Sequence, residues 1–205
     1  MEETIRPASR RPRGSLDRAT VAGAALDLIE TRGIEELTMR SLAAHIGCGT
    51  MTLYRYVHDR DDLLEAVVER LIAELDVPSV VARSGDDWRV GFQNLMHAYR
   101  ELAFRRPRAF ELLALAPYES GPVLPHLEQT VSFFQQTGLS EQDSLLLLSF
   151  ADAFSTGFLA VWVRSRDSGH HTVIGNMHNL DTFERGLAVV LTGFERLLEA
   201  SGSGA

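Results

Sequence analysis

Apolar residues recur every three to four positions through most of the chain, and no segment alternates with period two. Val21, Ala24, Ala25, Leu28 and Ile29 mark a first helix, capped by Asp17 and ended by Gly33. Thr38 starts a short second helix over Met39–His45, with Leu42 and Ile46 facing inward. Gly47-Cys48-Gly49 breaks it, and a third short helix is expected over Thr50–Val57. Asp59 caps a fourth, with Asp61 and Asp62 in the first turn, where the helix dipole favours negative charge. Leu64, Val67, Val68, Leu71, Ile72 and Leu75 give it an apolar stripe.

Pro78 and Gly85 mark Asp76–Asp87 as a linker. Helices are then expected from about Asp86 to Arg105, over Pro107–Ala116, up to Thr137, over Glu141–Arg164 and over Thr182–Ala200. Pro117, Gly121, Pro122 and Pro125 break the chain, and Ser165–Asn179 reads as a polar loop. The predicted fold is all-α. A basic arm (1–15) precedes a three-helix head (16–62), and a larger helical bundle (63–205) follows, entered through a connecting helix (63–75).

Composition narrows this. Hydrophobic residues make up 45 %, enough for a packed core. The single cysteine, Cys48, excludes a disulfide within one chain and fits a reducing cytoplasm. Met1–Gly14 is polar and arginine-rich, without the apolar core of a secretory leader. Leu145–Val163 is apolar over nearly its whole length but carries Asp152 at its middle. A carboxylate at mid-bilayer costs about 2.5–3.5 kcal/mol even on a lenient scale, so a helix buried on all sides of a bundle is the expectation. The net charge of −8 is unevenly spread. Residues 1–60 carry nine Arg against eight acidic residues, with a basic tip at Arg6, Arg10, Arg11, Arg13 and Arg18; the remainder carries eleven against twenty. An acidic body repels phosphates and leaves the head as the docking face.

Two short helices joined by a glycine-bearing turn form a helix-turn-helix, whose first helix braces the backbone while the second enters the major groove. Leu42, Ile46, Cys48 and Leu53 are the expected small core that fixes the crossing angle. Cys48 reads as a small buried hydrophobe there, with a redox switch as the alternative. The second helix presents Thr50, Met51, Thr52, Tyr54, Arg55 and Tyr56. Hydroxyls reach phosphates or base edges, arginine reads guanine bidentately, and Met51 or the Thr52 methyl meets a thymine methyl.

Residues 16–75 resemble the TetR family of bacterial repressors. Gly33-Ile34-Glu35-Glu36-Leu37-Thr38-Met39-Arg40-Ser41-Leu42-Ala43 is similar to the first half of the family's head. Thr52-Leu53-Tyr54-Arg55-Tyr56-Val57, Arg60 and Leu63-Leu64 are similar to its recognition helix and the helix after it. Trp88, and Gly138-Leu139 before the apolar helix, resemble the tetracycline-repressor-like subgroup. The resemblance implies a homodimer that represses transcription from a palindromic operator and is released by a small-molecule inducer. It also implies that Thr38, Arg40, Thr50, Met51, Thr52, Tyr54, Arg55 and Tyr56 face DNA, and that Arg60 stands where a family lysine touches phosphate. Arg55 and Tyr56 depart from the tetracycline repressors' Trp and His, so their operator sequence is not carried over.

In the body, Ser149, Ala153, Thr156 and Ala160 make a stripe of small residues beside a bulky one of Phe150, Phe154, Phe158 and Val161. Phe183, Leu187, Val190, Leu191, Phe194, Leu197 and Leu198 repeat along the last helix. With the family's habit, Ser149, Ala153, Thr156, Ala160, Leu187, Val190, Leu191 and Phe194 are the expected dimer interface; a monomeric core is the alternative. Aromatic residues at helical spacing line an expected pocket for a small, largely apolar or aromatic inducer: Phe92, Phe134, Phe154 and Phe158, with Met96. The resemblance adds Leu95, Tyr99 and Thr130. Leu95 stands in place of a polar family residue, so tetracycline as the ligand is not carried over. His97 and His126 are candidate polar pocket groups or ordinary half-buried histidines. His170, His171 and His178 fall in the polar loop, where solvation is the plain reading and metal binding the sharper one.

No phosphate-binding loop, dinucleotide glycine pattern, HExxH or nucleophile elbow is present, so an enzyme is not expected, nor a metal or cofactor. Within the DNA-binding class the alternatives are a repressor without ligand, a co-repressor-dependent protein and an activator.

Overall fold

A computed structural model describes residues 16–167 and 179–202. All regular structure among the described residues is helical. The chain divides into two compact units, 1–67 and 68–205, with the division inside one helix. The arm arginines Arg6, Arg10, Arg11 and Arg13, and His170, His171 and His178, lie outside the described residues.

In the first unit, α1 spans Arg18–Arg32. The Asp17 carboxylate accepts the Thr20 N–H at 2.7 Å and so caps it. Gly33, at φ +93°, ends it in a conformation that side-chain-bearing residues resist. A turn of 3-10 helix at Ile34–Glu36 leads to α2, Met39–Ile46. Thr38 and Ser41 cap α2 reciprocally: the Thr38 hydroxyl accepts the Ser41 N–H at 3.0 Å, and the Ser41 hydroxyl accepts the Thr38 N–H at 2.9 Å. Then α3 spans Thr50–Leu53, shorter than the sequence pattern predicts; the chain continues through a turn to Tyr56. Helix α4, Arg60–Leu75, runs on into the second unit.

In the second unit, α5 spans Val77–Ser84, where the sequence reads as a linker. Pro78 falls in its first turn, where no intrahelical N–H partner is lost. The Asn94 amide donates to the Ser84 hydroxyl at 3.1 Å and ties α5 to α6, Trp88–Arg105. The short α7 spans Phe110–Ala114 and α8 spans Val123–Gln136. Pro125 lies inside the first turn of α8 instead of breaking the chain, for the same reason as Pro78. Helices α9, Glu141–Asp167, and α10, Leu180–Gly202, complete the unit. Helix α6 packs against α5, α8, α9 and α10. Trp88 and Phe194 meet edge to face with centroids 5.5 Å apart. Phe154, Phe158 and Phe183 cluster between α9 and α10.

Helix α9 is long and apolar enough to cross a membrane by length and composition. The expected burial on all sides is not what the chain shows. Ser144, Leu147, Ala151, Ser155, Leu159 and Val163 form one buried line, whereas Leu145, Leu146, Phe150 and Val161 are exposed. One face serves the chain's own core, and the other is left uncovered among the described residues.

Candidate nucleic-acid interface and ligand cavity

Leu42 of α2 and Leu53 of α3 are fully buried and hold the two helices of the motif together; Ile46 and Cys48 are half-buried at the edge of that contact. Gly47, at φ +81°, takes the left-handed conformation, and the N–H groups of Gly47 and Cys48 both reach the Ala43 carbonyl. The turn is therefore fixed by backbone bonds. Met51 is 78 % exposed, and Tyr54, Arg55, Thr38 and Arg40 are exposed too; Thr50, Thr52 and Tyr56 are half-buried. An apolar side chain as open as Met51 has little to pack on among the described residues. Thr38 already has a structural task as the α2 cap. The exposed Arg60 approaches the Leu37 and Ile34 carbonyls at 3.4 and 3.5 Å, bracing the start of α4 on the segment before α2. Arg18, expected in the basic tip, instead turns inward on Asp62 and the Tyr56 carbonyl.

In the second unit, α6, α8 and α9 line a partly open cavity of about 30 Å³. Leu95, Met96, Leu127, Leu148 and Ala151 supply apolar walls, and Tyr99, His126, Thr130, Asp152 and Ser155 supply polar ones. The Tyr99 hydroxyl lies 2.8 Å from His126 Nε2. Burial lowers the His126 pKa to about 4, so the ring is neutral at pH 7. Burial first, and then the Asp152 carboxylate, push the Tyr99 phenol above its ordinary value. Asp152 accepts from the Tyr118 hydroxyl at 2.6 Å and from the Thr156 hydroxyl at 3.2 Å.

Of the expected pocket residues, Leu95, Met96, Tyr99 and Thr130 line this cavity, but Phe92, Phe134, Phe154 and Phe158 do not. Phe92 and Phe134 are fully buried core side chains, and Phe154 and Phe158 turn to Phe183 on α10. Sequence reasoning named His126 as a candidate and passed over Leu127, Leu148, Ala151, Asp152 and Ser155. The last four fall on the buried side of an almost uniformly apolar helix, where only the polar Asp152 and Ser155 carried a signal. Among the expected interface residues, Ser149 and Ala153 are exposed and Thr156, Ala160, Val190 and Leu191 are half-buried. Leu187 and Phe194 are corrected: both are buried within the chain, Phe194 against Trp88, so neither is available to a partner. The most open apolar residue of α10 is Val189, with Leu197 half open.

Residues 23–67 match the model of the bacterial regulatory proteins, tetR family. The chain is 26 % identical over 155 residues to the HTH-type transcriptional repressor DrrR1 of Streptomyces coeruleorubidus, covering 76 % of this chain and 57 % of that one. It is 31 % identical over 143 residues to the class D tetracycline repressor protein of Escherichia coli, covering 69 % and 64 %. The chain thus spans less than two thirds of the length of either relative. A crystal structure of a possible TetR family transcriptional regulator from Streptomyces coelicolor shares the fold, with a TM-score of 0.70 at 23 % identity over 88 % of this chain and 100 % of that one. A capped helix-turn-helix matching the tetR family model, and an all-helical second unit sharing the fold of a TetR family regulator, make the chain similar to the TetR family of bacterial regulatory proteins.

Proposed function

We propose that the protein is a cytoplasmic transcriptional repressor that binds a palindromic operator as a homodimer and is released by a small-molecule inducer. The observation that carries this reading is the exposed row of Met51 on α3 and Tyr54 and Arg55 in the turn after it, anchored by buried Leu53. Arg55 and Tyr54 supply base or phosphate contacts, Met51 meets a thymine methyl, and Arg40 and Arg60 neutralise phosphates. Thr38, Thr50, Thr52 and Tyr56 complete the face. In this reading residues 16–62 bind DNA and 63–205 dimerise and bind ligand, with 63–75 connecting them.

Dimerisation uses the outer face of α9, where Phe150 (52 % exposed), Leu146 and Val161 flank the small Ser149 and Ala153. Thr156 and Ala160 lie along the same helix, and Val190 and Leu191 join from α10. Two heads set about 34–36 Å apart match successive major grooves on one side of the duplex. A ligand in the cavity acts by preferring the form that does not fit DNA. The path to the head is α4: Glu74 in its last turn accepts the Arg106 guanidinium at 2.9 and 3.1 Å, just past the end of α6.

A repressor without any ligand is the second reading. The observation that favours it is the cavity volume of about 30 Å³, room for about two waters, against the roughly 300 Å³ or more of typical ligand sites. Selection from a random duplex pool tests the main reading. Enrichment of an inverted repeat with half-sites about one helical turn apart is the expected result, and no enrichment above the pool would overturn it.

A further inference from the structure

His126 is only 5 % exposed, yet its Nδ1 has no hydrogen-bond partner among the described residues. Its tautomer follows from counting unmatched groups. If the Tyr99 hydroxyl donates to Nε2, the single ring proton sits on Nδ1, and one buried donor lacks an acceptor. If Nε2–H donates to Tyr99 instead, the Nδ1 lone pair and the Tyr99 hydroxyl proton are both left over. The first arrangement leaves fewer buried groups unsatisfied and is therefore the favoured one. Nδ1–H is then a donor in want of an acceptor at the wall of the cavity.

The second polar element is Asp152, the only carboxylate side chain of the lining. Its partners among the described residues are two hydroxyls, Tyr118 and Thr156, and no cation. Tyr118 sits on the segment between α7 and α8 and is 56 % exposed, so its ring contributes little burial to hold it there. The contact that fixes it is the donated hydrogen bond to Asp152. A ligand group that satisfies Asp152 better displaces the Tyr118 hydroxyl, and any sizeable ligand must also widen the small cavity.

From this geometry, and resting on the inducer reading above, we infer that the cavity selects an aromatic or aliphatic molecule with two polar ends: a carbonyl-type acceptor for His126 Nδ1–H and a protonated amine for Asp152. The apolar walls set by Leu95, Met96, Leu127 and Leu148 hold the body between them. A carboxylate at the second end is disfavoured, because it would meet Asp152 with no cation of the lining to offset it.

Three matched probes test this by calorimetric titration of the full chain: N-(2-aminoethyl)-2-naphthamide, N-propyl-2-naphthamide and 2-naphthoylglycine. The amine should bind at least tenfold tighter than the propyl compound, with the carboxylate weakest. Asp152→Asn should erase the preference for the amine, and His126→Phe should weaken both neutral-amide probes. Tyr118→Phe, which removes a competing donor at an exposed ring, should tighten the amine several-fold. Equal or better binding of the propyl compound or the carboxylate, amine preference surviving in Asp152→Asn, no tightening in Tyr118→Phe, or no binding of any probe at millimolar concentration would each overturn the inference. The same probes added to the complex with the selected duplex separate it from the inducer reading. If the amine binds as expected but leaves DNA affinity unchanged, the cavity chemistry stands and induction fails. If only the propyl compound or the carboxylate releases DNA, induction stands and this inference fails.

Discussion

Arg18 at the start of α1 and Asp62 in the first turn of α4 are joined at 2.6 Å, across a sequence separation that closes the head on itself. The same guanidinium donates to the carbonyls of Tyr56 and Asp62 at 3.3 and 3.2 Å, and the Asp62 carboxylate also accepts the His58 N–H at 2.6 Å. The turn after α3 is thereby held from both sides. Hydrogen bonding to Arg18, then to the His58 backbone, keeps the Asp62 carboxyl well below its ordinary value of 3.8.

Asp62→Asn should therefore destabilise the protein by about 1–2 kcal/mol at pH 7, the scale of lost charge-assisted hydrogen bonds. A carboxyl whose pKa falls on folding stabilises the native state above its unfolded value and loses that contribution as pH drops toward the folded one. The gap between wild type and variant should accordingly be full at pH 7 and shrink below about pH 4. Thermal melts at pH 7, 5 and 3 check this; a gap that stays constant with pH would remove the ion pair as its cause.

Gly91 on α6 faces the ring of Phe133 on α8 so closely that a methyl group in its place would overlap the ring. Alanine ordinarily favours a helix interior over glycine by about 1 kcal/mol. Here Gly91→Ala should instead destabilise by about 1–3 kcal/mol, the cost of an overpacked core. Combining it with Phe133→Leu should recover part of the loss, because the two changes share one contact. Urea unfolding of the two single variants and the double variant measures the coupling, and simple additivity would contradict the packing described.

The exposed α9 face yields a prediction about assembly. Phe150→Arg or Ala153→Arg should shift a dimer of twice 22.7 kDa toward monomer without unfolding it, since neither side chain is buried in the chain. Sedimentation velocity at micromolar concentration, with circular dichroism as the folding control, reads both quantities. A wild-type monomer would sink the proposed interface, and an intact dimer in both variants would move it elsewhere.

Most of the fold was legible because its helices are amphipathic and bounded by readable caps: Asp17, Thr38, Gly33 and Gly47 all stand where the pattern placed them. Helix α5 was misread because Pro78 and Gly85 look like linker punctuation, although proline is harmless in a first turn. The head's exposed face was legible for a related reason, since few apolar residues remain once Leu42 and Leu53 are set inside. The cavity was only half legible. Along α9 nearly every position is apolar, so periodicity cannot tell the side facing α8 from the side facing α10. Phe154 and Phe158 therefore read as pocket walls, yet they pack on Phe183. Leu187 and Phe194 read as interface for the same reason, and packing within the unit decided otherwise.

The central claim is that the exposed residues of α3 and the turn after it read operator DNA. Fluorescence anisotropy of the selected duplex and of a scrambled one, titrated with wild type, Arg55→Ala and Tyr54→Ala over a range of salt, tests it most directly. Each variant should lose about 1–3 kcal/mol on the selected duplex and little on the scrambled one, while Arg40→Ala weakens both and flattens the salt dependence. Unchanged affinity of Arg55→Ala and Tyr54→Ala for the selected duplex would contradict the account.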